Sequence, residues 1–183
     1  AEATLQGWIP GDDAGAQGFY EEGILTSMEQ HSVAAGTYTT GTTSPQRYTD
    51  PFPGGNSNTG TSISTVNVSW SNSNASANTK LAKIITQKWI ANYPLGFEAW
   101  CDFRRTGFPQ IYSAQNDLSS ESSIGIIENS LFSATTYRSR LVRRLPYPIS
   151  EYNGNRANVE AAVANMLGGL DKGNVDLWWA KKQ

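Results

Sequence analysis

The chain has 183 residues, 38% hydrophobic content, only 16% charged residues and a formal net charge of -2. That is enough apolar material for one sizeable core, or part of a larger one. The balance excludes a basic nucleic-acid-binding face, and no apolar run reaches the ~18 residues of a membrane span. Asn, Ser, Thr and Gly replace charge along much of the chain, a texture suited to secreted or cell-surface proteins.

The opening AEATLQGWIP begins as if inside a helix and without an initiator Met, so the chain is read as the C-terminal portion of a longer protein. Ala3, Leu5 and Trp8 predict a helix over 2–9, stopped by Pro10 and Gly11. Asp12 and Asp13 favour the start of a second helix over 14–31, with Tyr20, Ile24 and Met28 at spacing four. His31, the sole histidine, falls at its end. The two helices make a hairpin over 1–31 that cannot bury its own face alone, so further helical partners are expected upstream.

Residues 32–79 are a long polar stretch rich in Gly, Thr, Ser, Asn and Pro, with little periodicity. Tyr38, Tyr48, Phe52 and Trp70 punctuate it. A flat ring in such a setting either stacks on the apolar face of a sugar or pins the loop to the core, and both readings stand open. The alternation Thr65-Val66-Asn67-Val68-Ser69-Trp70 is a candidate strand.

The motif-bearing region 80–183 opens with the clearest helix, 80–93, in which Leu81, Ile84, Ile85 and Trp89 share a face and Lys83 falls elsewhere. Asn78 or Thr79 is placed to cap it, and Pro94 and Gly96 end it. A helix over 96–105 uses Phe97, Trp100 and Phe103 as its apolar side. Cys101, the only cysteine, excludes an intrachain disulfide and reads as a buried, inert thiol. RRLPYPISEY reads as extended because each Pro moves its predecessor away from helical angles. The last helix, 155–167, gathers Val159, Ala162, Val163, Met166 and Leu167, with Gly168 or Gly169 as a left-handed cap.

Catalytic chemistry finds little support. One histidine supplies no triad, there is no GxSxG elbow or phosphate-binding glycine loop, and no metal-ligand cluster is spaced for zinc. Asp12, Asp13 and Asp50 offer oxygens to calcium but read as solvated carboxylates. Arg104 and Arg105, with Arg143 and Arg144, read as scaffold: a guanidinium can pair with a carboxylate and stack on a ring at once. Glu98, Asp102 and Glu151 are their candidate partners.

IITQKWIANYPLGFEAWCDFRRTGFP, RRLPYPISEYNGN and the terminal GGLDKGNVDLWW, in this order, resemble the SusD/RagB family, most of all its SusD-like second branch. The resemblance implies a mainly α fold of tetratricopeptide-like helix pairs with long irregular loops, here the C-terminal part of a single domain. It implies a lipid-anchored protein on the outer face of the outer membrane, partnered by a SusC-like TonB-dependent β-barrel transporter. Such a protein binds glycan, or oligopeptide, without catalysis and without a cofactor or metal. Trp89, Trp100, Arg104, Arg105, Gly107, Arg143, Arg144, Pro146, Pro148, Trp178 and Trp179 match the family's motifs and are read as structural signatures. The ligand-binding candidates remain Tyr38, Tyr48, Phe52 and Trp70. The alternatives are a stand-alone carbohydrate-binding module and a fragment of a glycoside hydrolase.

Overall fold

The computed structural model describes residues 1–43, 45–46, 64–71, 79–111 and 142–180. The chain divides into two units, Ala1–Ile111 and Tyr112–Gln183. Both are helical, and no strand occurs among the described residues.

In the first unit, α1 spans only Glu2–Leu5. The apolar pattern predicts a longer helix, but Gly7 turns the backbone to a φ of 72° and Trp8 is left 71% exposed. The connection to α2, Asp13–Gln30, passes through Gly11 at a φ of 150°. A Cβ at Gly11 would lie 2.6 Å from Thr4 Cγ2, so the turn packs directly on α1. Asp12 caps α2, its Oδ1 accepting from the Gly15 amide at 2.9 Å. Ala16, Tyr20 and Ile24 bury one stripe of α2, as their spacing of four predicts.

Helix α3, Lys80–Ala91, is capped by Thr79, whose Oγ1 accepts from the Ala82 amide at 3.1 Å. Its buried residues are Ala82, Lys83, Ile84 and Ile85. This corrects the expected face: Trp89 is 40% exposed, whereas Lys83 is fully buried. The reason is that α3 packs against α1, α2 and α4, so its first turns are covered all round, while Asn67 gives the lysine a polar partner inside. After a turn through a cis Tyr93–Pro94 bond, α4 runs Gly96–Thr106 and ends at Gly107, which is left-handed. Phe103 is buried, but Phe97 is exposed, and Trp100 and Cys101 are half-buried. The core of this unit is Ala16, Tyr20, Ile24, Trp70 and Ile84, with Leu5, Met28, Tyr38 and Val68 packed against it. Completely burying one such side chain stabilises by about 1.5–3 kcal/mol.

The segment 64–71 is not a strand. Val66 and Asn67 are both buried although adjacent, which a two-residue alternation cannot produce.

In the second unit the prolines do keep residues 142–148 out of helix, but α5, Ile149–Gly154, starts directly after Pro148. Pro148 has a φ of -67°, a value its ring enforces and a helix entrance accepts. Helix α6, Arg156–Met166, buries Val159 and Val163. With Leu167 and Val175 they form a core flanked by Tyr147, Tyr152, Leu170 and Leu177. Gly168 and Gly169, at φ of 70° and 91°, cap α6. Met166, expected on the buried face, is exposed, as are Trp178 and Trp179.

Candidate ligand-binding region

The first unit carries the region of interest, where the polar stretch joins the helices. Tyr38 sits in a single 3-10 turn, Tyr38–Thr40. Its hydroxyl donates to Gln87 Oε1 at 3.1 Å. Both residues line a cavity of about 250 Å³ whose other walls include Phe19, Tyr20, Ile24, Met28 and Ile84. The lining is apolar apart from a few convergent polar groups, a composition that suits a small ligand body.

Trp70 takes the other of the two roles considered for it. It is 2% exposed, 5.2 Å from the Tyr20 ring, and its indole N–H donates to Asp13 Oδ2 at 3.3 Å. Lys80 Nζ lies 5.2 Å from the indole centroid and pairs with Asp13. A ring so enclosed pins the loop and has no face to offer a sugar. Tyr48 and Phe52 lie outside the described residues, as does Asp50. Asp12 and Asp13 are occupied, one as a helix cap and one with Lys80, whose bond holds the Asp13 carboxyl below its usual range. No cluster of metal-ligating side chains occurs among the described residues.

A second concavity, about 370 Å³, lies at the α3–α4 elbow, lined by Trp89, Tyr93, Pro94, Leu95, Trp100 and Phe103 among others. Tyr93 is 84% exposed there. Helical spacing assigned Trp89 and Trp100 to the core and so missed this aromatic cup. The signal available was the density of rings in WIANYPLGFEAW, which exceeds what one helix face can bury.

Arg105, Arg143 and Arg144 pair with carboxylates. Arg105 takes Glu2 with both terminal nitrogens, the Nη2–Oε2 contact being 2.9 Å, and reaches Asp102 at 3.1 Å. The Glu2 bond raises the Arg105 pKa above its ordinary value. Lys88 completes the group, 2.8 Å from Asp102 Oδ2. Arg104 lies 4.4 Å from the Trp100 centroid. Asp102 was an anticipated partner, while Glu2 takes the place considered for Glu98. In the second unit Arg143 pairs with Asp176 and Arg144 with Asp171, each at 2.5 Å, where Glu151 had been considered. Asp171 also accepts from the Tyr147 amide at 3.0 Å and the Tyr152 hydroxyl at 2.8 Å. Burial, and then the bond to Asp171, push the Tyr152 phenol up.

The SusD-like family model, described as SusD and RagB outer membrane lipoproteins, matches residues 1–180. A SusD-like protein from Bacteroides thetaiotaomicron VPI-5482 superposes with a TM-score of 0.73 at 38% identity, over 100% of this chain and 35% of its own. A SusD homologue from Bacteroides uniformis ATCC 8492 gives 0.67 at 38% identity, over 91% of this chain and 32% of its own. A further SusD homologue from B. thetaiotaomicron VPI-5482 gives 0.68 at 32% identity, over 100% of this chain and 36% of its own. No curated protein matches significantly. The chain spans about a third of the length of these solved relatives. With the family model matched nearly end to end and the helices superposed on solved members, the chain belongs to the SusD-like family.

Proposed function

We propose that the protein captures glycan, or oligopeptide, at the outer face of the outer membrane and delivers it to a SusC-like TonB-dependent barrel. The observation that carries this reading is the family match across residues 1–180. The reading assigns no catalysis, cofactor or metal to the protein, and its membrane attachment to a lipid anchor. Tyr38 and the cavity it lines are the binding candidates within the described residues, with Tyr48 and Phe52 kept as candidates in the polar stretch. The motif residues Trp89, Trp100, Arg104, Arg105, Arg143, Arg144, Trp178 and Trp179 are assigned to the scaffold. The low charge of the polar stretch favours a neutral glycan over a peptide.

Binding is preferred to hydrolysis because, among the described residues, the carboxylates of Asp102 and Asp171 are committed. Asp102 serves Arg105 and Lys88, and Asp171 serves Arg144, Tyr147 and Tyr152. A glycosidase needs two carboxyls facing one bond, one of them free to hold a proton.

Co-purification tests the proposal. The protein is tagged in its native host and recovered from gently solubilised outer membranes. A stoichiometric TonB-dependent barrel is expected. A monomer without a barrel, under conditions that preserve a known transporter pair, would favour a free-standing binding module. Release of products from a glycan on incubation would favour the hydrolase.

A further inference from the structure

The Tyr38 turn belongs to an outgoing stem that ends near Thr42, and the chain comes back along 64–71. The two stems are bonded to each other. The Ser69 amide donates to Gly41 O at 2.8 Å, and the Asn67 side-chain amide donates to Thr42 O at 3.4 Å. They are also bonded to the helices. Tyr20 donates its hydroxyl to Val68 O at 2.7 Å, and Lys83 Nζ donates to Asn67 O at 3.0 Å and Asn67 Oδ1 at 2.6 Å.

Lys83 is the unusual member. It is 0% exposed, and both acceptors of its ammonium are neutral oxygens. Burying a cation without a carboxylate is expensive, and a methionine of similar length would fill the space without that cost. Core packing alone therefore does not call for lysine here. What lysine adds is geometry: one ammonium grips the backbone and side-chain oxygens of the same asparagine, whose side-chain N–H donates to the opposite stem. One helical turn further on, Gln87 receives the Tyr38 hydroxyl. Successive turns of α3 thus hold the returning and the outgoing stem.

We propose that Lys83 and Asn67 are positioning residues that clamp the two stems and thereby hold Tyr38 at the rim of its cavity. The consequence for ligand binding rests on the glycan-binding reading above; the clamp itself does not. Burial lowers the Lys83 pKa to about 8, in keeping with a cation surrounded by neutral partners.

Amide hydrogen exchange on the full chain tests the clamp, with Lys83→Met and Asn67→Ala as variants. Each is expected to speed exchange of the Ser69 amide about tenfold while the amides of α3 keep their protection. Unchanged Ser69 exchange in both variants would overturn the proposal. So would equal acceleration at Ser69 and throughout α3, because that pattern reports lost global stability. If Lys83→Met fails to fold, Asn67→Ala decides, since it spares the backbone oxygen. Native gels cast with inulin, dextran or xylan add the ligand arm. Variants with a freed Ser69 should lose the retardation that the unmutated chain shows, and retained retardation would sever the clamp from binding. An unmutated chain that none of the three retards counts against the glycan reading, while Ser69 exchange still judges the clamp.

Discussion

Each unit of this protein buries a cation, and the two do it differently. Lys83 in the first unit is fully enclosed with only asparagine oxygens on its ammonium. Arg144 in the second unit is 6% exposed and faces Asp171, whose oxygens are further satisfied by an amide and a phenol. A guanidinium stays charged under all ordinary conditions and demands a counter-charge when buried. An ammonium can shed its proton, so a neutral cage is tolerable. The second unit therefore buries a permanent ion pair, and the first a cation that can shed its proton as pH rises.

The sharpest way to break this contrast is Asp171→Ala. It strands a buried guanidinium and two further donors, the Tyr147 amide and the Tyr152 hydroxyl, and should cost about 3–5 kcal/mol of unfolding free energy. Urea unfolding measures it. A loss below about 1 kcal/mol would mean that the Lys172 carbonyl, 3.4 Å from Arg144 Nη1, can replace the carboxylate.

The next effect is a pH dependence between about pH 8 and 10 that arises in the first unit. Unfolded lysine holds its proton to about 10.5, whereas folded Lys83 releases it near 8. Between those values the unfolded chain binds more protons, so stability should rise with pH, by no more than about 3 kcal/mol. Above pH 10 the trend should reverse. Burial raises the Tyr20 pKa above its usual 10.0, so the unfolded chain then loses a proton that the folded chain keeps. Urea midpoints at pH 7.5, 9 and 10 would reveal the rise, and Lys83→Met should flatten it. A flat profile in the unmutated chain would count against a neutral cage.

Two smaller effects refine the picture. Tyr20→Phe removes the hydroxyl that holds Val68 O, at a cost of about 1 kcal/mol, and should loosen the returning stem more than α3. Exchange rates along 64–71 would show it. Glu160→Gln removes the exposed partner of Arg156 in α6 and should leave the urea midpoint of either unit within error.

Much of the helical architecture was legible. α2, α3, α4 and α6 stand where apolar spacing, caps and Gly or Pro stops place them, because each signal is local. Failures arose where a distant partner decides. Lys83 reads as solvent-facing in any helical projection; only Asn67, sixteen positions earlier, makes it an inside residue. Trp70 in a polar stretch gave no sign of which ring it meets, and that ring is Tyr20. α5 was hidden because prolines that forbid helix before them also start one after them. The aromatic cup at the α3–α4 elbow was missed for the opposite reason, since periodicity counted Trp89 as core.

Gly11 bears on how this protein can vary. Its φ of 150°, with Thr4 Cγ2 2.6 Å from where a Cβ would stand, leaves no room for a side chain. Gly18 and Gly23, inside α2, have nothing within 4 Å of an added Cβ. Alanine at either of those should gain roughly 0.5–1 kcal/mol. In a saturation library, position 11 should return glycine alone while 18 and 23 drift, so the turn between the first two helices is inherited unchanged as α2 itself diversifies.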